Sequence, residues 1–114
     1  MDISTQKNEY VDLDDALSRI GGNMPLYKRL LSRFIEGNHY EELESAIQRG
    51  DFEEASQQAH ALKGVSANLS LSCIRSLSIE LEKLLRDNAD CTDCLAELKQ
   101  AFIMTNQKIA SIVE

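Results

Sequence analysis

The sequence predicts an all-α protein: an antiparallel four-helix bundle with one or two short N-terminal helices packed across one end. Two observations indicate this fold class. Apolar residues recur at spacings of three and four along most of the chain, and no stretch shows the sustained period-two alternation of a strand. One proline and five glycines in 114 residues leave little of the chain for loops.

The length and composition indicate one domain. Hydrophobic residues make up 43% of the chain and charged residues 27%, which suits a folded globular protein. The first residues, MDISTQKNEY, are polar. We therefore expect residues 1–11 to form a flexible tail and residues 12–114 to form the helical domain.

The charge and the apolar runs exclude several classes of function. With 19 acidic and 12 basic residues the net charge is −7, so we expect no binding to nucleic acid or to anionic membranes. The apolar runs are far shorter than the ~20 residues of a membrane-spanning helix, so we expect no membrane insertion. Three cysteines and a start unlike a signal peptide favour a cytoplasmic protein, and we expect a monomer.

Caps and glycines predict where the first helices begin and end. Asp12 is a candidate N-cap for a short helix that Gly21 and Gly22 end. Asn23 is the candidate cap of the next helix, with Pro25 in its first turn, where a missing N–H costs nothing. These capping and helix-terminating residues predict two helices before residue 37.

The most informative helix begins after Asp51. Glu54 follows three residues later, which is the spacing of a capping box, and the helix is expected to run to about Leu69. Another helix follows a polar break, and a polar loop over residues 88–93 precedes the last helix. The apolar stripe predicted for the Asp51 helix consists of Phe52, Ala55, Ala59, Leu62, Val65 and Leu69.

His60 is the candidate reactive residue. At 100° per residue it falls roughly 150° from the centre of the apolar stripe, so its imidazole is expected to face solvent. Its neighbours on that face are small or polar: Ser56, Gln57, Lys63, Gly64 and Ala67. Three of them, Ser56, Gln57 and Ala67, are the candidate partner-binding residues. We expect a docking patch beside the ring that is mostly apolar with polar edges.

Gly64 and Lys63 strengthen this interpretation. Glycine in a helix interior costs about 1 kcal/mol relative to alanine, so its presence needs a reason. On the face of His60 it leaves room for a partner, although it would also permit close approach of a neighbouring helix. Lys63 can bring its ammonium group to an anion on the imidazole.

The chemistry that suits an exposed histidine is capture of a phosphoryl group. A single convex helix face offers neither the pocket nor the orienting carboxylate of a general acid or base. Neutral imidazole, with a pKa near ~6.5, is a good nucleophile at pH 7. Phosphoryl transfer depends mostly on positioning and electrostatics, which a docking partner can supply.

The stretch from Ala59 to Glu82 resembles the signature of histidine-containing phosphotransfer (HPt) domains. In that family a histidine and any residue precede Leu-Lys-Gly, followed by a small residue, a hydrophobic residue with glycine, and a Leu-Glu pair. The matching positions here are His60, Leu62, Lys63, Gly64, Ser66, Leu69, Leu81 and Glu82. Ser70 stands where the family usually has glycine, so the turn after this helix is expected to differ from the family's. The likeness extends over nearly all of the chain from Asp12.

The resemblance implies a role as intermediary in a His–Asp phosphorelay of two-component signalling. His60 would be the phosphoacceptor, Lys63 would stabilise the phosphate charge, and Gly64 would give access. The implied partners are response-regulator receiver domains and a hybrid sensor histidine kinase. No cofactor would be bound, the receiver would supply Mg²⁺, and the domain would have no kinase activity of its own.

Three alternatives remain open on the sequence alone. A non-catalytic helical adaptor with an idle surface histidine is the main one. A histidine kinase dimerisation domain normally has an acidic residue after its histidine and a nearby proline, whereas Ala61 follows His60. A small metalloprotein would use Cys91 and Cys94 with a histidine, but no second cysteine pair accompanies them.

Overall fold

The computed structural model describes residues 10–114, which form helices joined by short turns. The all-α prediction is therefore confirmed for this part of the chain. Six helices, which we number in chain order, span the described residues: α1 (Leu13–Arg19), α2 (Met24–Glu36), α3 (His39–Gln48), α4 (Phe52–Asn68), α5 (Ser72–Arg86) and α6 (Thr92–Val113).

The predicted N-cap residues begin the first two helices. Asp12 accepts a hydrogen bond from the backbone N–H of Asp15, and Asn23 accepts one from Leu26. Gly21 and Gly22 both adopt positive φ angles, of 64° and 76°, between α1 and α2. The left-handed backbone there favours residues without a Cβ atom, which is why the two glycines end the first helix.

One of the two hydrogen bonds of the predicted capping box forms at the start of α4. The side chain of Asp51 accepts a hydrogen bond from the N–H of Glu54 at 3.2 Å. The carboxylate of Glu54 instead accepts a hydrogen bond from Gln58 one turn further on. The cap nevertheless sets the register of α4 and therefore the direction in which its later residues point.

The core lies between helices that each pack against their neighbours. α4 packs against α3 and α5, α5 packs against α6, and α6 packs against α2 and α3. The largest fully buried side chains come from α2 to α6 and from two connecting segments: Val11, Tyr27, Leu31, Leu43, Leu62, Leu71, Ile74, Leu81, Leu98 and Ile109. α2 thus supplies core residues in contact with α6.

α1 covers the end of the molecule where α4 turns into α5. The N–H of Asp12 donates to the carbonyl of Ser70 at 2.9 Å, and the Ser70 hydroxyl donates to Asp15 at 2.6 Å. Arg19 donates to the carbonyl of Ala67 at 3.2 Å, and Tyr27, in the first turn of α2, donates to that of Leu69 at 2.6 Å. The carbonyls of Leu69 and Ser70, which follow the last residue of α4, thereby gain donors, and the Ala67 carbonyl gains one in addition to the N–H of Ser70.

Ser70 explains why a glycine suits this turn. Its φ angle is 57°, in the left-handed region that non-glycine residues rarely adopt. Its side chain and backbone both bond to α1 residues, which holds the turn in this conformation. The departure from the HPt pattern therefore leaves the turn intact.

The structure differs from the sequence prediction at several boundaries. Residues 1–9 of the expected tail lie outside the described residues, but Val11 is only 1% exposed and belongs to the core. Phe52, predicted in the buried stripe of α4, is 49% exposed because it lies at the first residue of the helix, beyond the core. Ser66 is buried on that stripe, whereas Val65 is only partly buried. α6 begins at Thr92, inside the predicted loop.

Candidate functional site

His60 projects from the outer face of α4. Its side chain is 68% exposed, whereas Ala59 and Leu62 on the opposite face are buried. The Asp51 cap and the buried alanines fix the rotation of α4, so the imidazole is directed away from the core. The predicted solvent exposure of His60 is therefore confirmed.

Glu82, on α5, bridges His60 and Lys63. Its Oε2 lies 2.9 Å from Nδ1 of His60, and its Oε1 accepts a hydrogen bond from Nζ of Lys63 at 3.0 Å. The Glu82 side chain is only 14% exposed, so the carboxylate is held between the two helices. The expectation that the histidine has no orienting carboxylate is therefore wrong, because α5 supplies one from Glu82.

The carboxylate is kept charged by its two partners. The hydrogen bond from Lys63 lowers the pKa of Glu82 most, and the hydrogen bond from His60 lowers it further, against the opposing effect of burial. At neutral pH Glu82 is therefore an anion that accepts from both neighbours. This fixed charge orients the imidazole and also holds the ammonium group of Lys63 close to it.

The contact with Glu82 distinguishes the two ring nitrogens of His60. An ionised carboxylate only accepts hydrogen bonds, so Nδ1 must carry the proton in their 2.9 Å contact. In the neutral imidazole Nε2 then holds the lone pair, since only one ring nitrogen is protonated. The nucleophilic nitrogen is thus the one that Glu82 leaves free.

Gly64 opens the face beside the ring. A Cβ atom built at this position meets no other atom within 4 Å. The glycine is exposed, so no neighbouring helix in the described part of the chain uses its small size. Close helix packing therefore does not explain Gly64, and open space beside His60 is what its small size provides.

A shallow groove of about 440 Å³ runs beside the imidazole. It is lined by the ring and by four polar side chains, of which the two glutamates were not among the predicted site residues: Glu53, Ser56, Gln57, His60 and Glu82. Ala67 lies outside this groove, about two turns further along α4. Carbon atoms of the lining side chains nevertheless contribute more of the groove surface than their polar atoms do, which agrees with the expected apolar patch with polar edges.

The site has no set of ligands for a metal ion. Cys91 and Cys94 are buried free thiols, and burial raises the pKa of Cys94 to about 11, which disfavours the thiolate. Within residues 10–114, no three histidine, cysteine or acidic side chains are grouped as a metal site. Beside His60 the groove contains two carboxylates, those of Glu53 and Glu82, and the Glu82 carboxylate already accepts from two donors.

The fold and the site define a class of small helical domains with an exposed histidine whose ring is oriented by a carboxylate that also holds a lysine. The comparison with protein families is more specific. Residues 29–108 match the Hpt domain, so this chain belongs to the Hpt domain family, whose members carry phosphoryl groups on histidine in two-component signalling. The comparisons with curated proteins and with solved structures give no match.

The family match confirms the resemblance that the sequence motif indicated. It begins within α2 and ends within α6, so it includes the entire α4–α5 pair and leaves out α1. No helix within residues 10–114 is long and apolar enough to cross a membrane. Family membership also favours a phosphotransfer carrier over a kinase.

Proposed function

We propose that this protein is an intermediate carrier in a multistep phosphorelay. His60 accepts a phosphoryl group from the aspartate of one receiver domain and passes it to the aspartate of another. The observation that supports this most is the contact between Glu82 and Nδ1 of His60, which leaves the nucleophilic Nε2 exposed on an open face.

In the proposed transfer, Nε2 of His60 attacks the phosphorus of the aspartyl phosphate. The N–P bond forms as the P–O bond to the aspartate breaks, and the carboxylate leaves with the electron pair. The ring gains positive charge while Nδ1 keeps its proton, and the adjacent Glu82 carboxylate stabilises that charge. Lys63 stabilises the negative charge of the phosphoryl oxygens. Onward transfer reverses these steps.

The partners follow from the same proposal. Receiver domains of response regulators and of a hybrid sensor histidine kinase would donate and accept the phosphoryl group, and the receiver would bring the Mg²⁺. The carrier would work without kinase activity, as a cytoplasmic monomer. The antiparallel four-helix arrangement expected for the HPt bundle belongs to this proposal as well.

The decisive experiment is intact mass spectrometry after incubation with a phosphorylated receiver domain and Mg²⁺. We expect one phosphoryl group on the wild type, lost in acid and retained in alkali, and none on His60→Gln. His39→Gln is the matched control, because the other histidine of the chain is packed against Phe34. Labelling of His60→Gln, or no labelling of the wild type by any of several receivers, would favour the adaptor.

A further inference from the structure

Two of the exposed apolar side chains of the described residues share a groove, and the other two lie apart from it. Within the described residues four large apolar side chains are exposed: Ile35, Phe52, Ile79 and Ile103. Ile35 and Ile103 line one groove between α2 and α6. Phe52 and Ile79 lie on α4 and α5, the two helices that form the site of His60.

Ile79 lies on the same side of α5 as Glu82. It precedes Glu82 by three residues, a separation that places two side chains on neighbouring positions of one helix face. Because α5 runs back along α4, moving from Glu82 to Ile79 leads from His60 towards Gly64 and Ala67. An exposed isoleucine therefore lies beside the open space that Gly64 leaves.

The same end of the face carries positive charge in a chain whose net charge is −7. Arg75 precedes Glu82 by seven residues, or about two turns, and so shares its face; it is exposed and forms no ion pair among residues 10–114. Arg19, paired with Asp15, places its guanidinium on the carbonyl of Ala67. Lys63 and Arg19 are each paired with a carboxylate, so Arg75 is the cation at this end whose charge no described residue neutralises.

We infer that a receiver domain docks asymmetrically on His60, with its contacts extending over the surface formed by Arg19, Lys63, Ala67, Arg75 and Ile79. This inference rests on the proposed function. A receiver that holds an aspartyl phosphate and Mg²⁺ presents a cluster of acidic oxygens, which complements the arginines. Ile79 is the exposed apolar anchor of this surface. Arg19 of α1 adds a cation that lies outside the residues matching the family.

Two pairs of variants with matched controls test the surface. Ile79→Asp is compared with Ile103→Asp, because both isoleucines are 43% exposed. Arg75→Glu is compared with Lys99→Glu, since Lys99 is exposed and lines the groove of Ile103. The rate constant for transfer from a limiting amount of phosphorylated receiver is measured for each, together with labelling by phosphoramidate, a small donor that needs no docking.

We expect Ile79→Asp and Arg75→Glu each to lower kcat/KM for the receiver by about tenfold, as for interface anchors, with labelling by phosphoramidate unchanged. The Ile103 and Lys99 variants should stay within about twofold of the wild type. Equal rates for all four variants, or a loss confined to the Ile103 and Lys99 variants, would overturn this surface while leaving the carrier function intact. Failure of every receiver to label the wild type would contradict the carrier function itself.

Discussion

Glu82 Oε2 lies 2.9 Å from Nδ1 of His60, although 22 positions separate the two residues in the sequence. The contact joins α4 to α5 and leaves Nε2, the other ring nitrogen, free. It converts a surface histidine into an oriented one with a defined nucleophilic nitrogen. The same carboxylate also holds Lys63, so a single side chain positions both groups that we propose to meet the phosphoryl group.

Glu82→Gln should slow transfer to His60 by about tenfold, because the neutral amide accepts from Nδ1 but gives less stabilisation to the charged ring. The measurement is the rate of labelling by a phosphorylated receiver. Glu80→Gln is the control, since Glu80 is exposed on α5 and forms no ion pair within the described residues. Equal rates for the two variants would contradict the role of Glu82.

Lys63→Ala should raise the pKa of Glu82, because the hydrogen bond from Lys63 is the largest cause of its lowering. A lowered pKa in the folded state means that ionised Glu82 favours folding above about pH 4.5, and that this contribution is lost as the pH falls through the folded value. The check is a carboxyl-carbon NMR titration of both proteins. An unchanged Glu82 midpoint would rule out this coupling. The variant should also transfer more slowly without losing the ability to be labelled.

Gly64→Ala should make the protein more stable and Gly64→Phe should make it a poorer acceptor. Alanine favours a helix interior by about 1 kcal/mol over glycine, and its Cβ atom meets nothing within 4 Å. Phenylalanine would project into the space beside His60 that the partner needs. Urea unfolding and the receiver transfer rate measure the two effects. Full transfer activity of Gly64→Phe would show that this space is not required.

Ser70→Gly should be more stable than Ser70→Ala by about 1 kcal/mol, because only glycine adopts a positive φ angle without strain. Both variants lose the hydrogen bond to Asp15, so their difference isolates the backbone conformation. Thermal or urea unfolding of the pair provides the measurement. Equal stability of the two variants would mean that the turn relaxes when the serine hydroxyl is removed.

Tyr27→Phe should reduce the free energy of unfolding by about 1–2 kcal/mol, because it removes the donor to the carbonyl of Leu69 at the end of α4. Burial raises the pKa of Tyr27 to about 12, above its ordinary value of 10.0. The wild type should therefore lose stability as the pH rises from about 10 towards 12, and the variant should lose less. Urea unfolding across this pH range tests both points; identical pH profiles would contradict the second.

The sequence alone determined the features that depend on neighbours three or four residues apart. The caps at Asp12, Asn23 and Asp51 were predictable because a capping side chain bonds to a backbone N–H in its own first turn. The exposure of His60 followed from the period of α4. Gly64 stood out because an exposed glycine inside a helix is unfavourable without a function.

Only the tertiary structure decided what lies opposite His60. Glu82 was visible as part of a motif, but its contact depends on the register between α4 and α5, which is set by the turn at Ser70 and by buried packing along both helices. The helical period places a side chain on a face and says nothing about which residue of another helix meets it. For the same reason the exposure of Phe52 was missed. The helical period placed Phe52 on the buried face of α4, but the neighbouring helices do not extend far enough to cover the first residue of that helix.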